Sequence, residues 1–462
     1  MTIRENNSKK PGSALTRREF LGTTATAAAG FVIVPRKVLG GPGYQAPSDT
    51  LNIGCVGVGG KGTSDIWACS TENIVALCDA DDEQMARFMT QKDNKPEYQP
   101  KYDKAVKHRD FRRMLEKEKL DAITVSTPDH THAVIAMTAM KMGKHVFVQK
   151  PLTHTVKEAR LLAQEAKKRN LVTQMGNQGH SKEGARLICE WIWDGAIGDV
   201  REVHVWTNRP IWPQGIDAPK EIPSVPPTLD WDVWLGPAPW RPYHPAYLPF
   251  NWRGWWDYGT GAVGDMGAHL VDQPFWALKL GAPATVQASS TKYTKDSYPL
   301  AEVITYEFPA RGKMPPARMI WYDGGLMPPR PSVLDNSRMM GDDDGGCLFV
   351  GAKGMIMCGT YGENPRILPE QLMRDYKRPE KTIPRSPGIM EEWIAAIKAG
   401  KKSTTDFDYS GPLTEAMLLG NVALRMKDAK AVLQWDAVNM QVTNLPEANQ
   451  FIHKEYRAGW SL

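Results

Sequence analysis

The sequence predicts an α/β protein whose first folded part is a doubly wound, mostly parallel sheet, and three observations lead to that expectation. A short apolar run, Leu51 to Val56, is followed by Gly57-Val58-Gly59-Gly60-Lys61-Gly62 and then by a helix-compatible stretch through Ser70. Downstream, apolar strands alternate with helical patterns across short loops, which places helices on both faces of a parallel sheet because each crossover returns right-handed. The length, 462 residues, gives room for two domains or three, and 24% charged with 42% apolar residues excludes a disordered or collagen-like chain.

In chain order, residues 1–40 come first and stand apart. They carry seven basic residues against two acids, Glu5 and Glu19, while the remaining chain carries 50 of each sign, so the formal net charge of +5 belongs to this leader. A surplus confined there gives no reason to expect a nucleic-acid partner for the folded body. Thr16-Arg17-Arg18-Glu19-Phe20-Leu21, followed by a mild Ala/Thr/Gly/Val run to Val34, resembles a twin-arginine export signal. The run is too short and too weakly apolar to span a bilayer, and no other stretch approaches about 18 apolar residues. Twin-arginine export carries folded chains, so cofactor uptake in the cytoplasm and a periplasmic destination are expected. None of the six cysteines forms a C-x-x-C pair, and all are read as packing thiols, with neither disulfides nor metal ligation expected.

The body is expected to divide into a dinucleotide-binding domain at 50–177 and a substrate and oligomerisation domain at 178–462. In the first, Gly57 permits the tight turn, Gly59 lets the backbone approach a pyrophosphate, and Gly62 allows helix to pack closely on strand, while Gly60 adds freedom. A second strand, Asn73 to Cys78, ends at Asp79, 22 residues beyond Gly57. A carboxylate there accepts ribose hydroxyls and repels a 2′-phosphate, so NAD is favoured over NADP. Further strands are expected at Leu120 to Ser126, Lys144 to Val148 and Leu171 to Met175, with helices at Asp129 to Met142 and Val156 to Arg169. Ligands on such sheets sit at the carboxyl ends of strands, where Thr127 to His132, Gln149-Lys150-Pro151 and Gly176-Asn177-Gln178 lie.

This order of motifs resembles the Gfo/Idh/MocA oxidoreductases, from Leu51 nearly to the C-terminus. The resemblance implies an N-terminal Rossmann domain, an E-K-P loop, and a C-terminal α+β domain whose large, open mixed sheet accompanies a D-x-x-x-H pair. Here the loop reads Gln149-Lys150-Pro151, with glutamine in place of the glutamate, and Asp265-Met266-Gly267-Ala268-His269 supplies the pair. It further implies that Thr127, Pro128, His132 and Asn177 lie at the cofactor, with an unusual peptide bond at Pro151. Moving a hydride from a carbinol carbon requires a base for the hydroxyl proton and a donor for the resulting carbonyl oxygen. Asp265 and His269, four apart on a helix expected from Asp265 to Leu280, share a face, so the carboxylate can bias the imidazole. His269 is the expected base, Lys150 the donor and relay, and Asp265 the orienting group; Gln178 and Asp272 are placed at the substrate.

Eight of the sixteen tryptophans fall between Trp206 and Trp256, interleaved with prolines, in a segment that reads as a long ordered loop. Aromatic faces pack on the C–H faces of sugars, and Arg253 or Asp257 can satisfy hydroxyls, so a carbohydrate substrate is expected. Most of these tryptophans suit a satellite core or a subunit interface; Trp252, Trp255 and Trp256, near His269, are the pocket candidates. The run Asp342-Asp343-Asp344 lacks the alternation of a calcium loop and reads as a solvated turn. Strands at Ala284 to Ser290, Glu302 to Phe308, Arg318 to Tyr322, Cys347 to Val350 and Met355 to Cys358, with helices at Ile389 to Ala399 and Pro412 to Met426, complete the second domain. The expected activity is NAD-dependent oxidation or reduction of a sugar hydroxyl by an exported homo-oligomer. A redox-neutral, NAD-assisted glycosidase and a non-catalytic sugar- or nucleotide-binding protein are the alternatives.

Overall fold

Six strands build the first sheet: β1 (Asn52–Val56), β2 (Asn73–Cys78), β3 (Val106–His108), β4 (Ala122–Val125), β5 (His145–Val148) and β6 (Thr173–Met175). Their order is β3-β2-β1-β4-β5-β6 and every pairing is parallel, the doubly wound arrangement expected. The computed structural model describes residues 49–91 and 93–462; the expected leader, 1–40, lies outside the described residues. In β1, β4 and β5 nearly every residue is buried, because helices cover both faces and leave no solvent side for alternation. The helices that matter below are α1 (Lys61–Cys69), α2 (Asp129–Lys141), α3 (Val156–Arg169), α4 (Gly261–Leu270), α5 (Asp272–Ala277), α6 (Ile389–Ala399) and α7 (Phe407–Arg425).

A second, mixed sheet of nine strands follows. Its members are β7 (Val200–Thr207), β8 (Thr285–Ser290), β9 (Glu302–Phe308), β10 (Ala317–Tyr322), β11 (Gly345–Gly351), β12 (Met355–Cys358), β13 (Arg366–Leu368), β14 (Leu433–Asp436) and β15 (Gln441–Val442). They run β13-β12-β11-β7-β10-β9-β8-β14-β15, antiparallel except where β7 meets β10. In β9 buried and half-exposed residues alternate strictly, as a sheet packed on one face requires. The buried face meets α7 and α4, with the Tyr306 hydroxyl donating to the Met417 carbonyl at 3.1 Å.

The chain from Leu51 to Leu462 forms one compact unit, and its two sheets share helices. Helix α6, more than 200 residues beyond β6, packs on α1; its Trp393 is fully buried against Phe147 of β5, ring centres 5.7 Å apart. Helix α7 packs on α3, where the Arg160 guanidinium meets the Glu415 carboxylate. The C-terminal segment closes over the same region, with the Arg457 amide donating to the Pro237 carbonyl at 3.1 Å.

One expected element is corrected. The helix anticipated from Asp265 to Leu280 starts four residues earlier and breaks into α4 and α5. Pro274 has no N–H to give the Leu270 carbonyl, so the ladder lapses there. The Cys347 thiol of β11 donates to that freed oxygen instead, at 3.0 Å.

Candidate active site

The cleft begins at the glycine turn after β1. Gly57 has φ +82°, and a Cβ there would stand 2.4 Å from the Ser126 carbonyl oxygen, so the turn passes against the end of β4 only without a side chain. A Cβ on Gly62 would stand 2.0 Å from the Gly57 oxygen; this glycine brings α1 onto its own strand. Gly59 and Gly60 line the cleft, and no side chain caps α1, although the Gly62 amide donates to the Gly59 carbonyl at 3.0 Å; the positive end of the helix opens at the cleft.

At the end of β2, Asp79 accepts the amides of Val58 at 2.9 Å and Asp81 at 3.1 Å. Burial pushes its carboxyl up to about 6 even though those amides favour the charged form. The cleft encloses about 530 Å³ and runs from Asp79 past the glycines, Thr127 and Pro128 to Lys150 and His269. Asn177, at the end of β6, is fully buried, and neither polar atom of its amide has a partner. A helix start without a side-chain cap, a glycine cradle and a carboxylate at the end of β2 fit a dinucleotide, whereas Asn177, expected at the cofactor, does not line the cleft.

Opposite the glycines, Lys150 reaches across from the loop after β5. Its ammonium donates to the Asp265 backbone oxygen at 2.7 Å and to Oδ1 at 3.0 Å; Arg253 Nε donates to the same Oδ1 at 2.9 Å. Burial pushes the Asp265 carboxyl up, but the two cations outweigh it and hold the group well below the usual carboxylate range. Asp265 hydrogen-bonds to Lys150 and Arg253 and biases His269 through its charge alone, which favours the protonated imidazole. His269, 3% exposed, has an unpartnered Nδ1 and stands edge-on to Tyr361, ring centres 4.8 Å apart. Burial first, then the nearby Lys150 charge, drives its pKa far below the ordinary value, so the imidazole is neutral.

The glutamine that departs from E-K-P has a compensation. Gln149 Nε2 donates to Asp65 Oδ2 at 2.8 Å, Ser126 Oγ donates to the same oxygen at 2.7 Å, and the Lys61 ammonium pairs with Oδ1. The carboxylate missing from position 149 is supplied by α1. Asp65, Lys61 and Tyr361 carried no motif signal; Asp65 and Lys61 are visible in the sequence only as an i,i+4 pair beside the glycines.

Several expected residues stand outside the cleft. His132 is buried, its ring nitrogens each 2.8 Å from the carbonyl oxygens of Thr127 and Pro151, so it braces two strand-end loops; burial lowers its pKa to about 4. The Lys150-Pro151 bond is cis. Asp272 is fully buried, hydrogen-bonded to His180 at 3.0 Å and to the Tyr409 hydroxyl at 2.7 Å, and is corrected from a substrate contact to an internal one. Trp255 is 1% exposed in a satellite core with Tyr247 and Tyr258. Trp256 faces a different cavity, and Asp257 is tied to Arg241 at 2.6 Å. Of the tryptophan-rich segment, Trp234, Trp252 and Arg253 do line the cleft, as does Gln178 from after β6. Asp342 is a turn organiser, taking the Thr360 and Gly345 amides at 2.7 and 2.9 Å.

Fold and cleft together define a nicotinamide-dinucleotide oxidoreductase. Residues 51–177 match the oxidoreductase family with an NAD-binding Rossmann fold, and 206–313 match the C-terminal α/β domain of the same family. The chain belongs to the Gfo/Idh/MocA oxidoreductase family, and its cofactor is NAD. It is 29% identical to a glycosyl hydrolase family 109 protein of Shewanella pealeana over 40% of this chain and 44% of that protein. It is 25% identical to levoglucosan dehydrogenase of Pseudarthrobacter phenanthrenivorans over 35% of this chain and 34% of that one. The chain thus spans less than half the length of these curated relatives. The WlbA dehydrogenase of Bordetella pertussis, solved with NADH and UDP-GlcNAcA, shares the fold at 18% identity with a TM-score of 0.56, covering 84% of this chain and 99% of that one. No described helix is long and apolar enough to cross a membrane.

Proposed function

We propose that the protein moves a hydride between a secondary hydroxyl of a sugar or glycoside and a tightly held NAD. The observation that supports this best is the convergence of Lys150, Arg253 and a neutral His269 on the cleft that the glycine turn opens. When bound, NAD supplies the hydride acceptor or donor. His269 accepts the hydroxyl proton, and its burial keeps the ring uncharged until then. Lys150, fixed by the Asp265 carboxylate, donates to the substrate oxygen. Arg253 lies with its guanidinium carbon 4.2 Å from the Trp252 ring centre, and this stacking fixes a hydrogen-bond donor in the cleft for a sugar hydroxyl. The names of both curated relatives denote carbohydrate chemistry, in line with this reading.

The glycosyl hydrolase relatives favour a second reading: oxidation at one carbon, elimination of the aglycone, addition of water and reduction, with no net redox change. A panel of glycosides separates the two. A keto-sugar with the glycosidic bond intact supports the dehydrogenase; free aglycone without net NADH supports the glycosidase and refutes the first. The leader fits an order in which the chain folds, takes up NAD and is then exported to the periplasm as a homo-oligomer. Lysines in place of Arg17 and Arg18 should hold the protein in the cytoplasm, and unchanged periplasmic recovery would overturn that assignment.

A further inference from the structure

A second cavity, of about 150 Å³, shares no lining residue with the active-site cleft. Arg425, the last residue of α7, lies in its wall. Its guanidinium carbon is 4.6 Å from the Trp256 ring centre and 4.5 Å from that of Phe451, so two aromatic rings fix its position. Neither ring satisfies the five N–H donors in the plane of the guanidinium. Among the described residues Arg425 meets no carboxylate, whereas Arg160, Arg186, Arg241 and Arg385 each do. The cavity wall adds Lys454 and His453 and contains no Asp or Glu. Lys454 is matched by Glu158 at 3.3 Å, which leaves the Arg425 charge uncompensated.

We infer that this cavity binds the oxyanion of a small molecule, a carboxylate or a phosphate, on the stacked Arg425 guanidinium. The site is joined to the catalytic helix. Asn421, one turn before Arg425, donates its amide to the Thr260 carbonyl at 2.9 Å, and the Thr260 hydroxyl donates to Asp129 at 2.6 Å. Thr260 is the residue from which α4, with Asp265 and His269, departs.

Calorimetric titration of the full chain saturated with NAD, so that the glycine cradle is occupied, tests this with inorganic phosphate and with gluconate. One saturable site for either probe is expected, and which probe binds distinguishes phosphate from carboxylate. Arg425→Gln should weaken it by about tenfold or more, the loss of a charge-assisted hydrogen bond. His453→Glu, at a side chain 44% exposed, places a carboxylate at the wall without touching the core and should weaken it similarly. Absence of saturable binding by both probes, or binding unchanged in both variants, overturns the inference.

Discussion

Asp265→Asn tests the electrostatic design of the site most directly. The carboxylate stands 3.0 Å from the Lys150 ammonium and 2.9 Å from Arg253 Nε, with the three side chains between 12% and 21% exposed. At an effective dielectric of about 20, each contact amounts to roughly 5–6 kcal/mol of attraction, offset by several kcal/mol of lost hydration per ion. Removing the shared anion leaves two half-buried cations facing each other. Losing one partner of a buried pair costs about 3–5 kcal/mol, and the lower end applies because the amide oxygen of the introduced side chain still accepts a hydrogen bond. With an unfolding entropy of about 2.1 cal/mol/K per residue over roughly 400 residues, 3 kcal/mol lowers Tm by about 4 °C. The sign with pH follows from the depressed carboxyl. Its contribution is complete well above the unfolded value of about 3.9 and is lost only as pH falls through the much lower folded one, so the gap between variant and wild type begins to narrow below about pH 4 and keeps narrowing further into acid. Scanning calorimetry at pH 7 and at about pH 2.5 measures both. Equal Tm at pH 7, or a gap that persists undiminished in acid, would refute the reasoning.

His269→Ala should cut turnover by about two to four orders of magnitude while NAD binding, followed by fluorescence, is unchanged; wild-type rates would remove His269 from the mechanism. Gly62→Ala should abolish NAD binding because its Cβ meets the Gly57 backbone oxygen at 2.0 Å, whereas Gly281→Ala, with open space around it, should bind as wild type. In the second sheet, Glu302 and Asp323 are buried together, with Trp321 Nε1 donating to Asp323 at 3.0 Å. Burial, and for Glu302 its neighbour, push both carboxyls up. The folded state therefore keeps protons the unfolded chain releases, and stability falls as pH rises above about 4 toward the raised values. Glu302→Gln should flatten that decline and raise stability at pH 9 in urea unfolding; a decline equal to wild type would reject it.

The glycine turn, Asp79, α3, β2, β9 and β12 were legible because each rests on local signals: a turn that only glycine allows, a helical period, or an apolar run or alternation within one strand. Strand β3 was not, since Val106 and Lys107 lie exposed at a sheet edge and three residues carry no period. The motifs also located Lys150, Asp265 and His269, but not their partners. Whether Asp265 faces His269 or Lys150 depends on where the loop after β5 meets α4, and no spacing encodes that. Trp255 and Trp256 show the same limit: their position beside the catalytic helix is visible, but the direction of each ring is fixed by tertiary packing with Tyr247 and Tyr298. Asp65 was hidden because its role depends on Gln149, 84 residues away.

Helix α6 bears on how this chain can be divided. It lies far past the cofactor-binding sequence, yet Trp393 seals the face of β5 at Phe147 and its indole donates to the Val172 carbonyl at 3.4 Å. A fragment ending at Asn177 would contain every glycine of the cradle and still present that apolar face to water. Transplanting the cofactor-binding half into another protein therefore means carrying a helix from the far end of the gene, or redesigning the face it leaves bare.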